Sequence, residues 1–366
     1  MHIIHVTPTF FDETSVIGGG ERYVHELAKF QAKLPNTKVS IYSFGGNGKT
    51  FVKDGVHYRI FKAWFWRYFT LLNPFSIGHF ASLHKADVVH VHQLCTFVSD
   101  LAALAGCLWR LPVIGTDHGG GGAWVLNTRL PVYRCYHKVV AQSRQAVEPL
   151  LKHFEGRIEV IPGGVDLESF TPSERQQVRR KEILFVGRLL PHKGVHTLIE
   201  AFRLLESATY QLRIIGRVGD PVYFEKLCQL AEGLAVRFET ESSDAHVLDA
   251  YRDAAVMVIS SESSDKNGPL PELMGFTVLE SQACGTPVLC SDAGPMKEFI
   301  VEEATGWVFP AGDADGLLKC LRQLLSHLEA APDGIDNACR ANVFRYGWQS
   351  VSKDYCRLYA TELRSF

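Results

Sequence analysis

The sequence predicts an α/β protein built from two doubly wound domains. Three observations carry this expectation: a length of 366 residues, short apolar runs alternating with longer amphipathic stretches, and a second start of that alternation past the midpoint. A chain this long exceeds the usual single-domain size. The alternation itself is the pattern of a parallel sheet whose crossover helices cover both faces.

In the first half the apolar runs place strands at Ile3–Thr7, Lys38–Phe44, Val56–Ile60, Val88–His92, Val113–Thr116, Lys138–Ala141 and Ile158–Ile161. Helices fall between them, clearest at Gly20–Leu34, where Tyr23, Leu27 and Phe30 sit at helical spacing. The polar stretch Ser169–Lys181 reads as a linker. Beyond it the pattern gives strands Glu182–Gly187, Gln211–Ile215, Val236–Phe238, Val256–Ser260 and Pro287–Cys290. Helices Gly194–Glu206, Val222–Gly233, Asp244–Asp253 and Thr277–Cys284 separate them. The expected domains are residues 1–168 and 169–348, with a final helix at 349–366 returning to the first.

Composition removes several function classes. Hydrophobic residues at 46% and charged residues at 21% fit a globular chain and not a disordered one. With 38 basic and 40 acidic residues the formal charge is −2, so no basic excess marks a nucleic-acid binder. The nine cysteines include no Cys-x-x-Cys pair and are odd in number, which fits small buried hydrophobes in a reducing compartment. Met1–Val6 lacks the pattern of a signal peptide, and no stretch reaches the roughly 18 apolar residues of a spanning helix. The expectation is a cytoplasmic chain, attached at most to a membrane face.

Ligands of doubly wound sheets bind at the carboxyl ends of the strands, so the loops after strands hold the candidates. The segment Pro271–Val288 carries most. Its small-residue loop runs into a helix starting near Thr277, so the amides of Gly275, Phe276 and Thr277 and the positive end of the helix dipole form a site for a pyrophosphate. Glu272 precedes the turn and Glu280 lies one helical turn inside it, each able to accept hydrogen bonds from sugar hydroxyls. Gly187-Arg188-Leu189 through Lys193-Gly194 follows the first strand of the second domain, and an arginine and a lysine there can neutralise one diphosphate. Gly216 and Arg217 follow the next strand and join the donor-binding candidates.

In the first domain, Gly18-Gly19-Gly20 precedes a helix, but Tyr23 stands where a dinucleotide fingerprint needs its third glycine. His118, after the strand Val113–Thr116, stands beside the four glycines 119–122. His90 and His92 share one strand face, as a metal pair would, but the sequence offers no third ligand close by, and no metal is expected. The aromatic cluster Trp64–Phe69, with Lys62 and Arg67, reads either as core or as a membrane-interface surface.

The Pro271–Val288 segment resembles the Glu-x7-Glu signature of the retaining GT-B glycosyltransferases of family 4, group 1, and the order of elements along nearly the whole chain is similar. The resemblance implies two facing Rossmann-like domains with a deep cleft between them. It implies that Glu272 contacts the transferred sugar and Glu280 the ribose, and that Arg188 and Lys193 neutralise the departing diphosphate. Gly19 and Gly20 then let backbone approach the donor phosphate or the acceptor, and His118 meets the donor sugar by side chain or carbonyl. The implied reaction moves a hexose from a nucleotide sugar, UDP-glucose first and GDP-mannose second, to a saccharide or lipid-linked acceptor, by front-face attack and without metal or other cofactor. The implied setting is cell-surface or exopolysaccharide synthesis. A sugar-nucleotide epimerase and a non-catalytic nucleotide-sugar-binding subunit are the rival readings. One departure stands out: the run Ser263–Leu270 ahead of Glu272 is longer than the family's common form.

Overall fold

The computed structural model describes residues 1–10, 19–63, 74–118, 130–173, 181–262, 274–330 and 334–365. Glu272, the glycines 119–122, the cluster Trp64–Phe69 and the run Ser263–Leu270 lie outside the described residues. The chain divides into two compact units, one of Met1–Gly164 with Trp348–Phe366, the other of Val165–Gly347.

The first unit is built on an eight-stranded sheet. Its strands are β1 (His2–Phe10), β2 (Lys38–Gly45), β3 (Lys49–Lys53), β4 (Val56–Lys62), β5 (Val88–His92), β6 (Val113–Thr116), β7 (Lys138–Ala141) and β8 (Ile158–Val160). Their spatial order is β3-β4-β2-β1-β5-β6-β7-β8. Pairing is parallel except for the β3–β4 hairpin, which turns at Asp54-Gly55 with both residues in the left-handed region. Every residue of β5 and β6 is buried, as strands covered on both faces must be. The helices are α1 (Gly19–Ala32), α2 (Ile77–Ser82), α3 (Phe97–Trp109) and α4 (Glu148–Phe154), joined at the far end of the sequence by a last helix, Trp348–Arg364. That last helix packs on α1. Thr96 caps α3 by accepting from the Ser99 N–H.

The second unit holds a six-stranded, all-parallel sheet in the order β11-β10-β9-β12-β13-β14. The strands are β9 (Glu182–Val186), β10 (Gln211–Ile215), β11 (Val236–Glu239), β12 (Val256–Ile259), β13 (Val288–Ser291) and β14 (Gly306–Phe309). Between them run α5 (Val195–Leu205), α6 (Pro221–Leu230), α7 (Asp244–Asp253) and α8 (Phe276–Ala283), followed by α9 (Ala314–Ala330) and α10 (Gly334–Val343). The last helix is then α11 (Trp348–Arg364). Alternation along the strands splits the core in two. Ile183, Phe185, Ile214 and Val258 face α5, α6 and α9, while Leu184, Met257, Ile259 and Cys290 face α7 and α8. Asp220 caps α6 by accepting from the N–H groups of Val222 and Tyr223, with Pro221 in the first turn.

Gly19 and Gly20 are the first residues of α1, and a Cβ at Gly20 would meet no protein atom within 4 Å. One expectation needs correction. Three of the cysteines expected to be buried are exposed: Cys107 on α3, Cys228 on α6 and Cys95 in the turn between β5 and α3. No helix among the described residues is long and apolar enough to cross a membrane.

His79 of α2 gives this fold a measurable pH response. It is buried against the rings of Tyr42, Phe44 and Phe61, and its Nε2 has no hydrogen-bond partner among the described residues. Burial, then the charge of Arg59, pushes its pKa from 6.5 down to about 3. A depressed folded value means that the stability it confers is complete above pH 6.5 and is lost as pH falls toward the folded value. Wild type should therefore lose about 2 kcal/mol through this group between pH 8 and pH 5. His79→Phe should raise the unfolding temperature more at pH 5 than at pH 8. Equal gains at both would show that His79 keeps its proton in the fold.

Candidate functional site

In a parallel sheet all strand exits lie along one edge, and the sequence-derived residues of the second unit gather there. Gly187 ends β9, and its N–H donates to the Ile215 carbonyl of β10 at 3.0 Å. Gly216 ends β10. A Cβ on Gly216 would stand 1.7 Å from the Gly187 carbonyl oxygen, so the close approach of these two strand ends requires glycine. Arg188 is exposed, and Lys193 closes a short 3-10 turn, Pro191–Lys193. Gly194 follows at φ 60°, and a Cβ there would lie 1.9 Å from the Ser260 carbonyl oxygen at the exit of β12. Both facts demand glycine, which explains the last residue of the segment Gly187–Gly194.

The connection bearing the two cations is tied to β12 as well. The Ser260 hydroxyl donates to the Lys193 carbonyl at 3.0 Å, and the Glu262 N–H donates to the His192 carbonyl at 2.8 Å. The Glu262 carboxylate accepts from the Thr197 hydroxyl at 2.7 Å and lies 3.2 Å from the His196 Nε2. Glu262 was not singled out from the sequence, because a lone glutamate after a strand carries no pattern.

Gly275 is the residue before α8, and Phe276 and Thr277 are its first two residues. The first N–H groups of a helix have no partner within it, and the dipole there favours an anion. At Gly275 a Cβ would press within 2.9 Å of Met296 and Val278, so the start of α8 packs against Met296 only with glycine there. Glu280 is 5% exposed and accepts a hydrogen bond from the Tyr251 hydroxyl at 3.0 Å. Tyr251 is held in turn by the Thr286 hydroxyl, which donates to its carbonyl at 2.6 Å. A glutamate this deep with a dedicated donor is not a solvated helix residue. At the exits of β10 and β11 a pocket of about 730 Å³ is lined by Arg217, Val218, Thr240, Glu241, Ser242 and Ser243. Of these, only Arg217 was a candidate from sequence. Two cations, a helix start and an adjoining polar pocket can hold a phosphorylated ligand with a planar or hydroxylated end group.

In the first unit, His118 lies two residues past β6 and belongs to a run of imidazoles. The expectation that His90 and His92 have no third imidazole nearby is wrong. His5 of β1 pairs in register with His90, and the ligand nitrogens of His5, His90 and His92 lie within 4.8 Å of one another. The third residue escaped notice because it is 85 positions away and only strand register brings it close. The contacts are short throughout. His118 Nδ1 lies 2.7 Å from the Gln142 Nε2, His118 Nε2 lies 3.0 Å from His92 Nδ1, and His92 Nε2 lies 2.9 Å from His5 Nδ1. His5 Nε2 lies 2.7 Å from the Gln31 Oε1. His90 sits between the Tyr359 hydroxyl at 2.6 Å and the Thr116 hydroxyl at 2.8 Å. Burial holds all four below the ordinary histidine range, with neighbouring imidazoles adding for His90 and His92; His5 falls to about 4 and His118 to about 3. All four are therefore neutral at pH 7.

Comparison with known proteins follows the same division. The profile described as Glycosyltransferase Family 4 matches residues 17–169, and that of Glycosyl transferases group 1 matches residues 168–339. A D-inositol 3-phosphate glycosyltransferase of Xylanimonas cellulosilytica is 27% identical over 316 residues, covering 75% of this chain and 72% of that protein. Among solved structures, a glycosyltransferase from Rickettsia africae superimposes with a TM-score of 0.78 at 19% identity, covering 99% of this chain and 98% of that one. Sucrose-phosphate synthase from Thermosynechococcus elongatus gives 0.73 at 20% identity, covering both chains completely. At such identities the structural likeness speaks for the fold alone. Two profiles of one enzyme class thus account for residues 17–339, and the chain belongs to the family 4, group 1 glycosyltransferases, with the two Rossmann-like domains of the GT-B fold.

Proposed function

We propose that the chain is a retaining, metal-independent hexosyltransferase that takes a sugar from a nucleoside diphosphate donor to a saccharide or lipid-linked saccharide hydroxyl. The observation that carries this reading is Glu280, buried and held by Tyr251 one turn inside a helix that begins at a glycine. That helix start lies along the same sheet edge as the connection bearing Arg188 and Lys193.

The roles follow from chemistry. Arg188, Lys193 and the amides at the start of α8 take the two phosphates. The pocket from Arg217 to Ser243 takes the nucleoside end, and Glu280 accepts from the ribose hydroxyls. Glu272, from its place in the sequence, is assigned to the sugar, and the unit carrying His118 receives the acceptor. As the bond from the sugar anomeric carbon to the phosphate oxygen breaks, its electron pair goes to the diphosphate, where the cations and amides stabilise the charge. The acceptor oxygen forms its new bond on the same face, and its proton passes to a donor phosphate oxygen. UDP-glucose is the first donor to test and GDP-mannose the second. The setting we propose is polysaccharide synthesis in the cytoplasm, with the chain resting at most on a membrane face.

The test is a donor screen. Thermal shift and slow hydrolysis are followed with UDP-, GDP- and ADP-sugars on wild type and on Glu280→Ala. One donor should stabilise and be hydrolysed, with both effects lost in the variant. Tyr251→Phe keeps the carboxylate and should weaken donor binding less. Binding without turnover would favour a non-catalytic subunit, and a changed sugar configuration with no acceptor would favour an epimerase. With the identified donor, Arg188→Ala should lower kcat on the order of 10²–10³-fold. Near-normal turnover would remove Arg188 from the leaving-group site.

A further inference from the structure

The hydrogen bonds around His118 have a direction that their distances do not show at first sight. Gln142 Nε2 lies 2.8 Å from the Asp117 carbonyl oxygen as well as 2.7 Å from His118 Nδ1. A carbonyl can only accept, so the amide nitrogen, and not its oxygen, must face this way. Its two hydrogens are then spent on Asp117 and His118, and His118 Nδ1 is an acceptor. A neutral imidazole accepting at Nδ1 carries its proton on Nε2. His118 therefore donates to His92, His92 to His5, and His5 to Gln31, whose oxygen stands where the last proton needs it. The two amides at the ends agree, although nothing links them except the three rings between.

The chain continues beyond Gln31 in the same sense. The Gln31 Nε2 donates to the Tyr359 hydroxyl at 3.4 Å, and that hydroxyl lies 2.6 Å from His90 Nδ1. His90 Nε2 lies 2.8 Å from the Thr116 hydroxyl, which reaches Tyr355 at 3.2 Å, and Tyr355 meets Tyr23 at 2.6 Å. The Tyr23 ring then stands edge-on to His118, with centroids 4.7 Å apart. Ten side chains from α1, α11 and four strands and their exits thus form one connected run, and its stretch from Gln142 to Gln31 has a single donor direction.

We propose that Gln142 and Gln31 are positioning residues that lock this one-way chain, fixing His118, His92 and His5 as neutral Nε2–H tautomers, so that both ring nitrogens of His118 are committed inside the protein. The imidazole is then not the base of the transfer. What His118 offers a ligand is its main chain and the carbon edge of its ring. The tautomer statement stands by itself, while its bearing on catalysis rests on the transferase reading above.

The test uses the full chain labelled with 15N-histidine, with ring-nitrogen shifts recorded at pH 7. Wild type should show a protonated Nε2 and a bare Nδ1 at His118, His92 and His5. In Gln142→Glu the carboxylate can only accept, so His118 should move its proton to Nδ1, with His92 and His5 following together. An Nδ1–H or doubly protonated His118 in wild type would overturn the proposal, as would a variant in which His118 alone responds. One equivalent of zinc or cobalt shifting His5, His90 and His92 together would overturn it too, because those lone pairs would be ligands. The wild-type spectrum needs no variant, so misfolding of Gln142→Glu leaves the test intact. A correct spectrum from a protein that turns over no nucleotide sugar would sink the transferase reading and leave the chain of tautomers standing.

Discussion

A polar group shut away from water must find its partner inside the protein, and this constraint organises the first unit. Both faces of its sheet are covered, so the imidazoles of β1 and β5 have no solvent to turn to. They are satisfied only because strands that are neighbours in space present matching positions, His5 beside His90, and because α1 and α11 bring Gln31, Tyr355 and Tyr359 to the same place. Tyr355 and Tyr359 come from the last helix, more than 180 residues downstream of the unit's other elements. The polar network therefore gives the end of the chain a reason to dock where it does, beyond the apolar area it buries. Such a network rigidifies when every member is paired and is costly when one is missing.

The second unit solves a different problem by different means. Its strand exits come close together at two places where side chains would keep them apart. Glycine removes the obstacle at Gly216 against Gly187 and at Gly194 against Ser260. The cations Arg188 and Lys193 then lie on a connection fixed at both ends, with the carbonyls of His192 and Lys193 tied to β12. Glu262 anchors the start of α5 from the same strand exit, so the loop that carries charge is braced by residues that carry no part of the family signature.

How much of this could be read beforehand follows from the range of each interaction. Val88–His92, Val113–Thr116 and Lys138–Ala141 were legible as strands because burial on both faces writes a continuous apolar run into the sequence. β3 was not, because Lys49–Lys53 is a half-exposed edge strand whose pairing comes from the hairpin turn and not from its own composition. β14 was missed for a related reason, being four residues long and opening on a glycine that packs against the Val288 carbonyl. Among site residues, Arg188, Lys193 and Glu280 announced themselves by spacing along one segment. His5, Gln31, Gln142 and Tyr251 did not, since each acquires its meaning from a partner at least 24 residues away. Local motifs show where a ligand's charge is met. The groups that aim the motif residues are distributed over the chain and appear only once register is known.

The two units also divide the electrostatics. The candidate residues of the second unit include two cations and a helix start, which suits a ligand carrying negative charge that grows as the leaving group departs. The first unit's strand exit is neutral, its four histidines held below their ordinary range by burial. A protonated histidine in that run would oppose a donor to a donor at some link, and the error would pass along the whole chain to Gln31 or Gln142. Neutrality is thus enforced by connectivity as well as by a dry interior. In the transfer proposed above, whose acceptor would be an uncharged hydroxyl, a neutral and rigid strand exit would leave the stabilisation of charge to the cations and helix start of the second unit, and the proton to an oxygen of the donor.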